Sequence, residues 1–433
     1  MNANKNAGAS TIDGKHKAAT IDGQGRGFFI FLVVYLLGLS MLGSFVNDMY
    51  TPAMPEMVGY FHAAVPTVQL GLTMTLIGAA IGQFVMGPVS EHTGRRPVLF
   101  FSLALCGASG LVSVFSPNIT VFLIWRFFQG IGASGGYFLA RTIPADLYGG
   151  RALAKFMAII GAVNGIAPAS APILGGFIAQ TFTWKGIFYS LAMLAALLLL
   201  ISPWMKETLP KAERSHASVG QSLDNYLKLL RNKPFMTHVM LKGAALAILF
   251  AYISSAPFIV QRHYGFSESV YGCIIGGNAV FLALGSMFAL KFNPLKKAAF
   301  YGTIGAAACI SLESAAIVWV DDFWLYESLL LPMLFCMGMV FSASNTLAMN
   351  EGRYNAGEAS AILGIYGYVL GGLASPLVGI GNVLHSTPIV FMALTVLMII
   401  GGIRTRRTPA DLTAQPQQQP AQPPKPAQPQ NRE

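Results

Sequence analysis

Apolar residues gather into twelve long runs: 27–50, 67–88, 97–115, 119–140, 153–179 and 185–204, then 235–260, 269–290, 298–319, 323–349, 359–380 and 387–403. A helix needs about 20 apolar residues to cross the hydrocarbon core of a bilayer, and each run is close to that length. The pattern predicts twelve transmembrane helices and an all-α membrane protein. The longest internal connection, 205–234, is polar, carries six basic residues and divides the runs six and six. The expected organisation is a disordered tail 1–26, a six-helix bundle 27–204, a linker 205–234, a second six-helix bundle 235–403 and a Pro/Gln-rich tail 404–433.

Composition narrows the function. Hydrophobic residues make up 54% of the 433 and charged residues only 11%, against roughly 25% charged in ordinary soluble domains. A soluble enzyme would lack the polar groups to cover its surface. The net charge of +10 does not point to nucleic acid, because its distribution has a different cause. Of the 28 Lys and Arg, 24 fall on one side of the twelve runs, two (Lys185 and Arg262) on the other, and two (Arg126 and Lys242) within runs. Basic residues flanking spans stay cytoplasmic, so both ends are expected there. The residues before Gly27 show no short apolar core with a small-residue cleavage site, unlike a signal peptide. Cys106, Cys273, Cys309 and Cys336 sit in apolar runs without metal-type spacing and read as small buried hydrophobes.

Twelve spans around a central linker suggest two parallel repeats. Thr142 and Ala171-Pro172 recur 204 residues later as Thr346 and Ser375-Pro376. Glycines four apart (Gly78/Gly82, Gly132/Gly136, Gly161/Gly165, Gly367/Gly371) are expected to let helices approach closely.

Four motifs lie in order along this frame. The loop after the second span reads Gly87-Pro-Val-Ser-Glu91-His-Thr-Gly94-Arg95-Arg96. The fourth span holds Arg126-Phe-Phe-Gln129-Gly130-Ile-Gly132. The fifth is rich in proline and glycine, with Pro168, Pro172, Gly175 and Gly176. The first ends Asn47-Asp48-Met-Tyr50-Thr-Pro-Ala-Met-Pro55. Together these resemble the major facilitator superfamily, and the last is similar to its bicyclomycin/chloramphenicol-resistance exporters. The family's loop acid is usually Asp, and here it is Glu91. The resemblance implies two pseudo-symmetric six-helix bundles, a central cavity, alternating access, and drug:proton antiport across a bacterial inner membrane. It further implies protons as coupling ion with no cofactor, small-molecule drugs as partners, and a monomer in the lipid bilayer.

Charges inside spans cost about 2.5–3.5 kcal/mol on insertion scales, so they are functional candidates by default. Asp48, in the outer part of the first span beside Asn47, is expected to exchange a proton for substrate. A poorly hydrated carboxyl favours its neutral form, and an approaching cation favours the ionised one. Arg126 is expected to pair with an acid such as Asp48 or to clamp neighbouring carbonyls, with Gln129 on its face. Lys242 either snorkels to the inner interface or places a positive charge at the cavity floor, where it favours neutral or anionic cargo. Glu313 and Glu327 read as interfacial or packed. Candidate cavity walls are Tyr50, Met74, Tyr137, Asn164, Tyr252, Asn278, Asn345 and Tyr366, in keeping with adaptable recognition. Gly87, Glu91, Gly94, Arg95 and Arg96 are expected to latch the inner side, and Pro168 and Pro172 to shape the fifth helix. The expected activity is proton-driven export of amphipathic small molecules. The alternatives are export of a metabolite or siderophore, or a non-transporting scaffold.

Overall fold

The computed structural model describes residues 26–211, Arg214 and residues 226–407. Residues 1–25 and 408–433 of the tails, expected to be disordered, and the middle of the linker lie outside the described residues, whereas 404–407, counted with the tail, continue the last helix. Twelve long helices run back and forth. They are α1 (Arg26–Asp48), α2 (Val65–Thr93), α3 (Arg95–Val114) and α4 (Ile119–Leu147), then α5 and α6 within Gly150–Ile201. The second set is α7 (Lys233–Pro257), α8 (Glu268–Phe288), α9 (Leu295–Trp319), α10 (Phe323–Glu351), α11 (Ala356–Leu377) and α12 (Val383–Arg407). No strand occurs among the described residues. The face where α1 begins is called the near face, and that where it ends, the far face.

Ten helical segments are long and apolar enough to cross a membrane, and one of these, Ala152–Trp204, holds two helices. The helix outside those ten, α4, is 29 residues long but carries Arg126, Arg141 and Asp146. Several helices outrun their apolar stretches. The expected loop after the second span is mostly helix: α2 continues through Glu91 to Thr93, and the turn is Gly94 alone. Likewise α4 reaches Leu147, so Arg141 is helical rather than part of a connection, and α12 runs to Arg407. Hydropathy registers contact with lipid. Polar residues that face protein or a cavity extend a helix without extending its apolar run.

The break between α5 and α6 falls at Thr183, whose φ of 60° is incompatible with a continuing helix. The Trp184 N–H freed there donates to Glu56 Oε2 at 2.9 Å. A carboxylate at a helix N-terminus satisfies an orphan donor and meets the positive end of the helix dipole. Elsewhere Asn118, Asn232, Ser267 and Asp322 cap α4, α7, α8 and α10 through their side chains.

Buried side chains form two large cores, one from α1–α6 joined by Phe250 and Phe258, the other from α7–α12. Within the first, Gly78 and Gly82 of α2 meet α4 backbone so closely that a Cβ would overlap it. Gly161 and Gly165, by contrast, have nothing within 4 Å of such a Cβ and do not serve packing.

The two halves touch along α2–α11 and α5–α8, and toward the far face those seams are tight. Thr73 donates to the Gly372 carbonyl at 2.6 Å and Gln69 to the Ser254 carbonyl at 2.9 Å. Ser375 donates across the seam to the Gln69 carbonyl at 3.3 Å and, within the second half, shares a hydrogen bond of 2.8 Å with Ser254. Gln261 and Arg262 donate to the carbonyls of Pro52 and Pro55, each at 2.8 Å. Where α5 crosses α8, Gly176, Gly272 and Gly276 allow backbone-to-backbone approach, and Pro172 contributes its carbonyl to that contact, while Gly175 meets the Met49 backbone just past the end of α1. A Cβ on Gly276 would lie 2.6 Å from the Ala169 carbonyl oxygen, whereas one on Gly277 would meet nothing within 4 Å. Gly276→Val is therefore expected to destabilise the protein by about 1–3 kcal/mol through overpacking. Gly277→Val is the control. Thermal unfolding of the detergent-purified variants checks this, and equal midpoints would contradict it.

Candidate functional site

The closed far-face seams leave a central cavity that opens toward the near face. Its upper part, about 180 Å³, lies among α1, α2, α4, α5, α7, α8 and α11, with Asn47 and Asp48 at its apex and Pro168 in its wall. Its lower part, about 540 Å³, is lined by residues that include Arg141, Asn164, Lys242, Asn345 and Ser360. Gln83, Tyr137 and Tyr368 border both parts, so the two adjoin.

Asp48 is the last residue of α1 and is half-buried. It is the only acid lining either part of the cavity, and it has no ion-pair partner among the described residues. The chain turns just beyond it, where Thr51 Oγ1 donates to the Asp48 carbonyl at 2.9 Å. Beside it, Asn47 Oδ1 is buried with no protein donor.

Arg126 does not pair with Asp48. Its guanidinium donates to Gln129 Oε1 at 2.6 Å and to the Val46 carbonyl at 2.9 Å, and it lies 4.2 Å from the Tyr50 ring centroid. Of the two roles expected for Arg126, the backbone clamp matches this geometry. It fixes α1 two residues before Asp48. Full burial explains the choice, since a guanidinium sealed from water bonds the nearest carbonyl and aromatic faces. Gln129 and Tyr50 are spent in this clamp and do not line the cavity.

Of the other expected wall residues, Tyr137, Asn164, Lys242 and Asn345 line the cavity, and Tyr252, Asn278, Tyr366 and Met74 do not. Tyr252 and Asn278 bond each other at 3.0 Å inside the second bundle. Tyr366 packs beside Phe235 and Leu363. Glu313, 1% exposed, is buried in the second bundle with neither carboxylate oxygen bonded to protein. The residues not anticipated are Gln83, Arg141, Ser360 and Tyr368. A signal for one existed: Gly130, Ala133, Tyr137 and Arg141 follow each other at three or four residues, a stripe on one face of α4.

At the near face, Gly94 turns the chain with φ of 102°, a conformation that L side chains resist. Arg95 is buried and bidentate to Asp146, with Nε to Oδ2 at 2.9 Å and Nη2 to Oδ1 at 3.3 Å. It also contacts Glu91 at 2.8 Å and Ser90 Oγ at 2.7 Å. Glu207 from the linker accepts the backbone N–H groups of Arg95 and Arg96 at 2.8 and 3.1 Å, capping α3. Arg96 donates to the Pro203 carbonyl at 3.2 Å. This cluster ties α2, α3, α4 and the linker together. Among the described residues, the bonds of Glu91, Arg95 and Arg96 all stay within the first half and its linker, so these residues form no latch across the described parts of the two halves in this conformation.

Residues 36–376 match the Major Facilitator Superfamily. The chain belongs to that superfamily. It is 36% identical over 364 residues to an uncharacterized MFS-type transporter of Bacillus subtilis, YdgK, covering 81% of this chain and 89% of the relative. It is 27% identical over 384 residues to a bicyclomycin resistance protein homolog of Haemophilus influenzae, covering 85% and 93%. Among solved structures it is similar to a bacterial homolog of the human lysosomal transporter Spinster, in an inward-facing and occupied conformation. That match has a TM-score of 0.71 at 14% identity, covering 88% of this chain and 97% of the other. The protein is thus a multi-pass membrane transporter of the superfamily and not an enzyme.

Burial alone disfavours the charged form of Glu207, but the N–H groups of Leu209, Arg95 and Arg96 and the nearby Arg214 outweigh it and hold its carboxyl below the ordinary glutamate range. A lowered folded value contributes stability above the unfolded value, and that stability is lost as pH falls through the folded one. Thermal unfolding against pH is therefore expected to show an acid-side loss in the parent that is shallower in Glu207→Gln. Asp146→Ala should cost toward the lower end of about 3–5 kcal/mol, since it strips a buried arginine of its bidentate partner while Glu91 remains. Unchanged unfolding in both variants would rule out the cluster as a structural tie.

Proposed function

We propose that this transporter exports amphipathic small molecules, drugs among them, in exchange for protons across a bacterial inner membrane. The reading rests on one observation above the others: among the described residues Asp48 is the only carboxyl lining the central cavity, it sits at the apex, and no cation pairs with it. A carboxyl in such a place takes a proton at little cost and gives it up when cargo or water rearranges around it. The name borne by the Haemophilus relative supports a drug as cargo.

The near face carries nearly all the basic flanking residues, so by the positive-inside rule it is cytoplasmic. The cavity then opens to the cytoplasm with its periplasmic seams closed, the state that loads cargo for export. Cargo enters past Arg141 and Lys242 between walls that include Leu246, Tyr137 and Tyr368. The halves then rock about the central cavity. The α2–α11 and α5–α8 seams part at the far face, and the near face closes. Asp48 is exposed to the outside in that state, and a proton entering there returns the carrier to the state seen here. Arg126 holds the last turn of α1 in place through the Val46 carbonyl, keeping the carboxyl aimed into the cavity.

The test uses purified protein in proteoliposomes with an imposed pH gradient and a fluorescent amphipath as cargo. Asp48→Asn is expected to reduce gradient-driven transport to the level of protein-free vesicles while cargo binding persists. Gradient-driven transport at the parent rate by Asp48→Asn would overturn the assignment.

A further inference from the structure

Among the described residues, the lower cavity carries two cations and no acid. Arg141 stands on α4 with its guanidinium against the Tyr137 ring, 4.3 Å from the centroid, and it donates one N–H to the Tyr137 hydroxyl. Lys242 stands across from it on α7 and donates to Asn345 Oδ1 at 2.7 Å. Neither has a carboxylate within ion-pairing distance among the described residues. Lys242 therefore does not escape to the interface. It lies nine residues into α7 and lines the cavity.

Two unpaired positive charges around one space repel each other and any cationic guest, and removing them from water is costly unless an anion offsets both. Their chemistry is complementary. The guanidinium presents a planar fork suited to a carboxylate or similar oxyanion, and the ammonium is a compact charge with free donors. Around them Met157, Ile160, Leu246 and Leu363 supply apolar wall. The one acid, Asp48, belongs to the apex and not to this part of the cavity.

We infer that the preferred cargo is an amphipathic organic anion, whose oxyanion is held between Arg141 and Lys242 while its apolar body lies against the walls toward Tyr368. This rests on the reading of the cavity as the cargo site, and it adds the sign of the cargo's charge. It also assigns Arg141 and Lys242 as the residues that set specificity. Neutral amphipaths fit the same walls without the charge pairing, and cationic ones face two like charges.

Equilibrium binding to the detergent-purified full chain tests this with three matched probes: naphthalene-2-carboxylate, its carboxamide and 2-(aminomethyl)naphthalene. The carboxylate is expected to bind about tenfold or more tightly than the carboxamide, the size of one charge-assisted hydrogen bond, and the amine weakest. Arg141→Gln with Lys242→Met should erase that ranking while carboxamide binding persists, which also shows that the variant folds. Equal binding of all three probes, or a ranking unmoved in the double variant, overturns the inference. Competition by phosphatidylglycerol but none by the carboxylate would assign the pair to a lipid headgroup and overturn it equally. The outcome separates from that of the export reading. Proton-driven transport without anion preference defeats this inference alone, and tight anion binding without proton-driven transport defeats the export reading alone.

Discussion

Hydrocarbon cannot solvate a charge, and the whole structure answers to that constraint. Every ionised side chain buried in these helices has to find a carbonyl, an aromatic face, an opposite charge or a water-filled space. Arg126 meets the Val46 carbonyl and the Tyr50 ring. Arg95 takes Asp146 and Glu91. Asp48, Arg141 and Lys242 reach the central cavity instead. The three solutions separate the roles: charges satisfied by protein hold the architecture, and charges facing a cavity are the ones to which the proposed cargo and proton roles are given.

The same constraint explains how the halves meet. Lipid offers no hydrophobic force to press helices together, so the seams use small residues and hydrogen bonds. At the far face Gly272 and Gly276 let α8 backbone approach α5, and Gln69 and Thr73 of α2 bond to the Ser254 carbonyl of α7 and to Ser375 and the Gly372 carbonyl of α11. Such contacts are specific and individually modest. They suit the seam opening proposed above, where a wide apolar interlock would not.

The near-face cluster differs in kind. Arg95 and Glu207 knit three helices and the linker of one half into a unit. A rigid half is what rocking requires, because motion then concentrates at the seams. In this conformation the cluster braces its own half and does not cross to the other.

Much of this was legible in the sequence because apolar run length and basic-residue placement report directly on the lipid boundary. Twelve helices follow from that alone, and the same reading singles out Asp48 and Arg126 as charges within apolar runs. Helix ends beyond the apolar runs did not, since Glu91 and Arg141 sit on helices whose polar faces meet protein or cavity rather than lipid. Nor did the membership of the cavity. Tyr252 and Asn278 have the same chemical character as Tyr137 and Asn345, and only the packing of distant helices turns the first pair on each other and the second toward open space. Composition and order along the chain fix which groups hydrocarbon rejects; the three-dimensional arrangement decides where each of them goes, because a partner hundreds of residues away, such as Gly372 for Thr73, exists only once the chain has folded.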